Sequence, residues 1–250
     1  MERAWSLLLA TLGACGRIGF EGPTATAGDD VPASDAGSDA PTNGIAFVGS
    51  PIQHTGSMGS TDSATFNATN AGDALLFFVA CAGSQVPTSV AVSAPGWTFT
   101  ALAPVTTNLA GQVYAASFGA IAPDAQPATL TVTWTGGNCN RGKSILADEL
   151  TRTDPTGGAT TFDAYSSSMG AGDCTTSVTT AHANDAVWAA CYAATAVSDV
   201  GPGYTRSAAD SVGDFAEYRL TTDPPNTVEQ VTFANPNGYV VVAATIKPLP

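Results

Sequence analysis

The sequence predicts an all-β fold: a jelly-roll or immunoglobulin-like β-sandwich built from two similar halves. The first observation is composition, because 26 Gly and 16 Pro punctuate the 250 residues and only 12% of residues are charged. Short strands joined by tight turns have this composition, whereas long helices favour Glu and Lys. The second observation is a pattern that occurs twice, at 72–81 and 184–191, where a polar turn precedes a short apolar run ending in cysteine. Such a bounded run, too short for an average helix, predicts a buried strand.

Further strand signals follow one another from residue 44 onward, separated by turn residues. In the first half they lie at 45–48, 63–69, 73–81, 89–92, 97–102, 111–118, 130–135 and 144–150. The segment 130–135 alternates with a period of two, which places its threonines on one face. These signals predict a series of short antiparallel strands.

The second half repeats the landmarks of the first in the same order. Its signals lie at 162–165, 176–180, 184–191, 201–205, 215–220, 228–233 and 239–246. The turn before Trp97 has its counterpart before Tyr204. An internal period of about 100 residues is too long for a solenoid and suits duplicated half-sandwiches. We expect one β-sandwich domain at 44–250, with pseudo-repeats 44–155 and 156–250. One continuous two-sheet domain is preferred over two tandem sandwiches hinged near 153–158.

The ordered landmarks at 44–250 carry a resemblance. A Gly-Asp turn, an apolar strand, a Pro-Gly-Trp turn, paired aromatic strands and an apolar last strand resemble the uncharacterised β-sandwich domains of exported and phage-tail-associated bacterial proteins. The resemblance implies a fold and does not imply an activity. The second copy departs from it, since Tyr204 stands where the first has Trp97.

The N-terminus is interpreted as an export signal. A compact apolar run at 4–12, too short to span a bilayer, ends in Leu12-Gly13-Ala14-Cys15. This segment resembles a lipobox, the cleavage and lipidation site of bacterial lipoprotein precursors. The resemblance implies a signal peptide at 1–14 and acyl groups on Cys15, which would anchor the chain to a membrane. The alternative is an ordinary signal peptide with a coincidental cysteine.

Residues 15–43 read as a disordered tether rich in Pro, Gly and Asp. The segment shows no apolar period and cannot bury enough surface to offset its chain entropy. Its aspartates do not have the spacing of an EF-hand loop. Gly16 after the proposed anchor is not the aspartate associated with inner-membrane retention, which favours the outer membrane or cell surface.

Apart from Cys15, four cysteines remain: Cys81, Cys139, Cys174 and Cys191. An even number in an exported chain predicts two disulfides, for which three connectivities exist. Cys174 and Cys191 flank one predicted hairpin, and Cys81 and Cys139 would then join a central strand to a Gly-rich loop. No Cys/His spacing matches a zinc site, so we expect no metal and no cofactor.

Charge excludes one class of partner. The formal net charge is −13 with only 8 Lys and Arg, so nucleic acid is not an expected ligand.

The two histidines, His54 and His182, have no Gly-x-Ser-x-Gly elbow beside them. Among strand carboxylates, the neighbours Asp148 and Glu149 point to opposite faces and cannot form a glycosidase pair alone. Glu217 is the third such carboxylate.

The aromatic residues give two candidates for ligand binding, Trp97 and Tyr204, and both also suit a sandwich core. Taken together, the sequence predicts a non-enzymatic lipoprotein of the cell envelope that binds a glycan or a surface protein. One alternative is a structural envelope protein without a specific small ligand. The other is a carbohydrate-active hydrolase.

Overall fold

The computed structural model describes residues 44–56, 58–85, 87–108, 112–193, 196–211, 213–234 and 238–250. These residues form an all-β structure with fifteen strands and one short 3₁₀ turn. The proposed signal peptide, Cys15 and the tether lie outside the described residues. No helix within the described ranges has the length and apolar character needed to cross a bilayer.

The first half contains eight strands. They are β1 (Ala46–Gly56), β2 (Thr61–Phe66), β3 (Ala74–Ala82), β4 (Ser89–Ser93), β5 (Thr100–Asn108), β6 (Val113–Ile121), β7 (Ala128–Thr135) and β8 (Gly142–Thr151). The sequence predicts a strand at 97–102, whereas β5 begins at Thr100. The reason is a turn, in which the backbone N–H of Trp97 donates to the carbonyl of Ala94.

The second half contains seven strands after the 3₁₀ turn Gly158–Thr161. They are β9 (Phe162–Gly170), β10 (Cys174–Thr179), β11 (Ala186–Ala193), β12 (Thr205–Ala209), β13 (Phe215–Leu220), β14 (Val228–Phe233) and β15 (Tyr239–Ile246). The last three strands have the bounds that the sequence predicts.

The described strands pair into four antiparallel sheets rather than the two we expected. The first large sheet has the order β1-β8-β3-β6-β5, and the first small sheet has β2-β7-β4. The second large sheet has the order β12-β13-β11-β15-β9, and the second small sheet has β10-β14. Read from β9, the second large sheet follows the strand order of the first.

Three apolar cores lie between these sheets, so the sheets stack in four layers. The central core joins the two large sheets and includes Leu76, Phe78, Leu146, Trp188 and Val242. The first outer core lies between the first large and first small sheets, and the second outer core lies between the second pair. The two large sheets therefore form the middle layers, and strands of both halves share one compact unit.

The position of β3 and β11 in the two middle layers explains why their sequences are apolar runs that end in cysteine. In β3, successive residues face different cores, since Leu76 faces the central core and Phe77 the first outer core. In β11, Trp188 and Val187 divide in the same way between the central and second outer cores. A strand covered on both faces requires apolar residues at consecutive positions, which is what these runs supply.

Candidate ligand groove and buried polar groups

An open groove of about 220 Å³ lies at the end of the first outer core. Short or polar side chains and one carboxylate line it: Val48, Gly49, Ser50, Pro51, Asn67, Thr69 and Glu149. Strand β1 loses its regular pairing with β8 on both sides of Gly49. Irregular strand positions of this kind often lie next to functional sites because they re-aim the strand. Here they form one wall, and the β2–β3 turn forms the other.

Glu149 supplies the charge of the groove. Its residue is only 2% exposed, and its carboxylate accepts hydrogen bonds from the Thr69 backbone N–H (2.5 Å) and hydroxyl (3.1 Å). Burial raises the pKa of Glu149, the nearby Asp73 carboxyl adds to the rise, and the bonds from Thr69 oppose it. Burial thus penalises the charged form of Glu149, and the two hydrogen bonds from Thr69 stabilise it.

Asp148 points to the opposite face of β8, as the strand period predicts, and lies in the central core. Its carboxylate accepts bonds from the Ser50 hydroxyl (2.6 Å), the Trp188 indole N–H (2.7 Å) and the Ser207 hydroxyl. Burial raises the pKa of Asp148 and these bonds oppose the rise. The residue therefore joins both halves of the molecule by hydrogen bonds and is separated from Glu149 by the sheet.

Glu217, the third strand carboxylate, lies on β13 and is fully buried next to the second outer core. One oxygen accepts the backbone N–H of Gly201 at 2.9 Å, and the other has no hydrogen-bond partner among the described residues. Burial raises the pKa of Glu217 to about 7. The structure thus places the three strand carboxylates in different surroundings, and Glu149 alone among them lines the groove.

The two aromatic candidates pack against apolar neighbours. Trp97 is half-buried, with its ring 4.9 Å from Phe66 in an edge contact and 6.4 Å from Phe99 in a stacked one. Tyr204 is buried in the second outer core. The Tyr204 ring therefore offers no free face to a sugar, and most of the Trp97 ring is used for packing.

The histidines each lie beside a carboxylate. His54 Nε2 lies 3.2 Å from Asp62 Oδ1 on the neighbouring strand β2. His182 lies in the turn between β10 and β11. Its Nδ1 lies 2.8 Å from Asp163 Oδ2, a pairing that the sequence analysis missed.

The structure pairs the cysteines as the sequence predicts. Cys81 bonds Cys139 across 58 residues with a Cα–Cα distance of 5.4 Å. Cys174 bonds Cys191 across 17 residues with a Cα–Cα distance of 6.5 Å. Each bond fastens a small sheet or its loop to the central strand of the adjacent large sheet.

The lining of the groove was not predicted from sequence. One sequence signal could have indicated the groove. Pro51 lies within β1, and a proline within a strand marks a sheet edge or a bulge. The contribution of Asn67 and Thr69 depends on where the β2–β3 turn meets β8, which no local pattern encodes.

No protein-family model matches the chain, and searches of curated proteins and of solved structures find no match.

Proposed function

We propose that this protein is a non-enzymatic lipoprotein of the cell envelope that acts as a binding or adhesion module for a glycan or a surface protein. In this proposal Cys15 carries the lipid anchor at the outer membrane or cell surface, and residues 15–43 act as the tether. The matching strand orders of the two large sheets support an origin from two similar halves. The sandwich presents the groove to ligands outside the cell.

The observation that carries the proposal is the chemistry of the groove. Its walls combine the amide of Asn67, the hydroxyl of Thr69 and the carboxylate of Glu149 with the short backbone segment around Gly49. Hydroxyl groups of a sugar can donate to such a carboxylate and accept from such an amide. The volume is below the roughly 300–1,000 Å³ of sites for drug-sized ligands. A single sugar unit at a chain end therefore fits better than a peptide segment, and we favour a glycan.

A hydrolase is not proposed, because among the described residues no second strand carboxylate accompanies Glu149 at the groove wall. Asp148 faces the central core, and Glu217 lies in the second half next to another core. Asp73 is the nearest carboxyl partner of Glu149, and both are buried side by side rather than on two sides of an open space. A purely structural envelope protein would bind no ligand in the groove, so for that alternative the experiment below should detect no binding.

The test is a binding screen of the full-length chain in detergent against arrayed glycans and purified envelope polysaccharides. Gly49→Leu is the informative variant, because a Cβ at Gly49 meets nothing within 4 Å and the new side chain would fill the groove. We expect saturable binding by the wild-type chain and a loss of about tenfold or more in the variant.

Ser93→Leu is the matched control, since Ser93 is exposed on β4 and lies away from the groove lining. This control should bind as the wild type does. The absence of binding to every arrayed glycan and polysaccharide would contradict the glycan proposal and favour a structural role. Full binding by Gly49→Leu would show that a glycan binds elsewhere.

A further inference from the structure

Three metal-ligating side chains converge at one end of the second large sheet. Asp163 lies at the start of the edge strand β9, and His182 and Asp185 lie in the turn between β10 and β11. One ligand atom from each residue lies within 4.8 Å of the other two. His182 Nδ1 is 2.8 Å from Asp163 Oδ2 and 3.9 Å from Asp185 Oδ1. Within the described part of the chain, neither aspartate forms an ion pair with Lys or Arg.

Asp185 gives the second observation that points to a ligand. The residue is 0% exposed, and its Oδ2 accepts the backbone N–H groups of Ala181 and His182. Its Oδ1 is buried and has no hydrogen-bond partner among the described residues. A buried carboxylate oxygen without a hydrogen-bond donor destabilises the folded state. This oxygen faces the imidazole, and a cation between the two would satisfy it.

The first half of the molecule contains a corresponding turn, Asn70–Asp73, in which the aspartate carboxylate has a different hydrogen-bond partner. The carbonyls of Asp73 and Asp185 accept corresponding bonds, from the N–H groups of Ala122 and Thr221 that follow β6 and β13. Asn70, three residues before Asp73, donates its side-chain amide to the Asp73 carboxylate at 3.1 Å. His182 occupies that position before Asp185. The first half therefore satisfies its carboxylate with an amide, whereas the second half places a potential metal ligand there.

We propose that Asp163, His182 and Asp185 bind one divalent transition-metal ion of the zinc type. Zinc binds imidazole nitrogen and carboxylate oxygen at about 2.0–2.2 Å, which separates neighbouring ligand atoms of a tetrahedron by roughly 3.4 Å. The observed separations of 2.8 and 3.9 Å lie on either side of that value. Small side-chain rotations would make them equal.

The same geometry leaves a coordination position open to solvent. The His182 side chain is 43% exposed, so an ion can enter past it and keep a water molecule as its fourth ligand. The imidazole favours zinc or a similar transition metal over calcium or magnesium, which prefer oxygen ligands alone. Binding would fasten the β10–β11 turn to the edge strand β9.

The test is calorimetric titration of the full-length chain in detergent with Zn²⁺, after treatment with a chelator. We expect one Zn²⁺ per chain. His182→Asn introduces the side chain that the first half has at Asn70, so it should fold well and satisfy Asp185. This variant and Asp163→Asn should each weaken Zn²⁺ binding by about tenfold or more.

His54→Asn is the matched control, because His54 lies beside a single carboxylate, Asp62, and should leave Zn²⁺ binding unchanged. Circular dichroism of each variant checks the fold, and zinc X-ray absorption of the wild-type complex should show one imidazole ligand. The proposal is overturned by the absence of saturable Zn²⁺ binding, by full binding in folded His182→Asn, or by equal affinity for Ca²⁺.

Discussion

At the residue scale, burial determines how each inward carboxylate behaves. Asp148 is fully buried, but hydroxyl and indole donors from three strands point at its oxygens. Glu217 is equally buried and has one oxygen without a partner among the described residues. The first carboxylate is therefore held by a satisfied network, and the second carries a desolvation cost whenever it is ionised.

Asp148 gives a prediction about the link between the halves. Asp148→Leu leaves the Trp188 indole N–H and the Ser50 and Ser207 hydroxyls without their acceptor, so it should lower the free energy of unfolding by about 2–5 kcal/mol. Asp148→Asn keeps an acceptor oxygen and should cost much less. Urea unfolding of the two variants measures the difference. Equal losses would contradict the assigned hydrogen-bonding role.

Glu217 gives a prediction about pH. Its pKa in the folded chain is about 7, above the ordinary 4.5, so the folded chain holds this proton more tightly than the unfolded chain. The contribution to stability is present below pH 4.5 and is lost as the pH rises to about 7. Glu217→Gln keeps an acceptor for Gly201 and does not ionise. It should therefore match the wild type at pH 4.5 and exceed its stability by roughly 3 kcal/mol at pH 8.

Unfolding with urea at both pH values tests this, with Asp124→Asn as the control because Asp124 is exposed. The control should follow the wild type at each pH. A Glu217→Gln variant with the wild-type pH dependence would show that Glu217 titrates normally.

At the element scale, the central strands β3 and β11 fasten the layers together. Each carries one cysteine of a disulfide that reaches toward its neighbouring small sheet, at Cys81 and Cys191. Cross-links stabilise a fold mainly by restricting the unfolded chain, and the effect grows with the length of the closed loop. The two bonds close loops of different lengths and so should differ in their contribution.

Paired Cys→Ala substitutions test the cross-links. Removing Cys81–Cys139, which spans 58 residues, should lower the free energy of unfolding by about 4 kcal/mol. Removing Cys174–Cys191, which spans 17 residues, should cost about 3 kcal/mol. Denaturant unfolding of both variants measures the order. A larger loss for the shorter loop would mean that native packing around the cysteines outweighs loop entropy.

At the scale of the whole molecule, four sheets and three cores follow from where consecutive apolar residues occur. The bounds of β13, β14 and β15 are predictable from sequence because apolar runs and turn residues are local properties, and the cysteine count predicts two disulfides. Which of the three possible connectivities forms depends on the fold. The four-layer stacking follows from apolar residues on both faces of β3 and β11, a consequence that the two-sheet expectation did not include.

The groove and the cluster of Asp163, His182 and Asp185 depend on how distant strands and turns align, which sequence alone does not specify. Glu149 meets Thr69 across 80 residues, and His182 meets Asp163 across 19. Tyr204 could be recognised as aromatic, but whether its ring faces a core or a ligand depends on the sheet that covers it. The sequence thus predicts which kinds of side chain lie on strands and turns. The residues that they contact are known only once the fold is known.

The proposed lipid anchor at Cys15 gives a prediction for the whole chain. Expression in a bacterial host with a labelled fatty acid should label the wild-type protein. Cys15→Ser should stay unlabelled and free of the membrane fraction, because the proposed anchor would supply the membrane affinity. Cys81→Ala combined with Cys139→Ala should keep the label. An unlabelled wild-type protein would favour the ordinary signal peptide.

The central claim is that the groove at Glu149 binds the ligand, and hydrogen–deuterium exchange of the full-length chain tests it most directly. The chain is measured with and without the best-binding saccharide of the array. We predict slower exchange at 48–50 and 67–69, the backbone of the two groove walls, and no change at 163–166 in the second half. Protection confined to other segments, or no protection at saturating saccharide, would contradict the account.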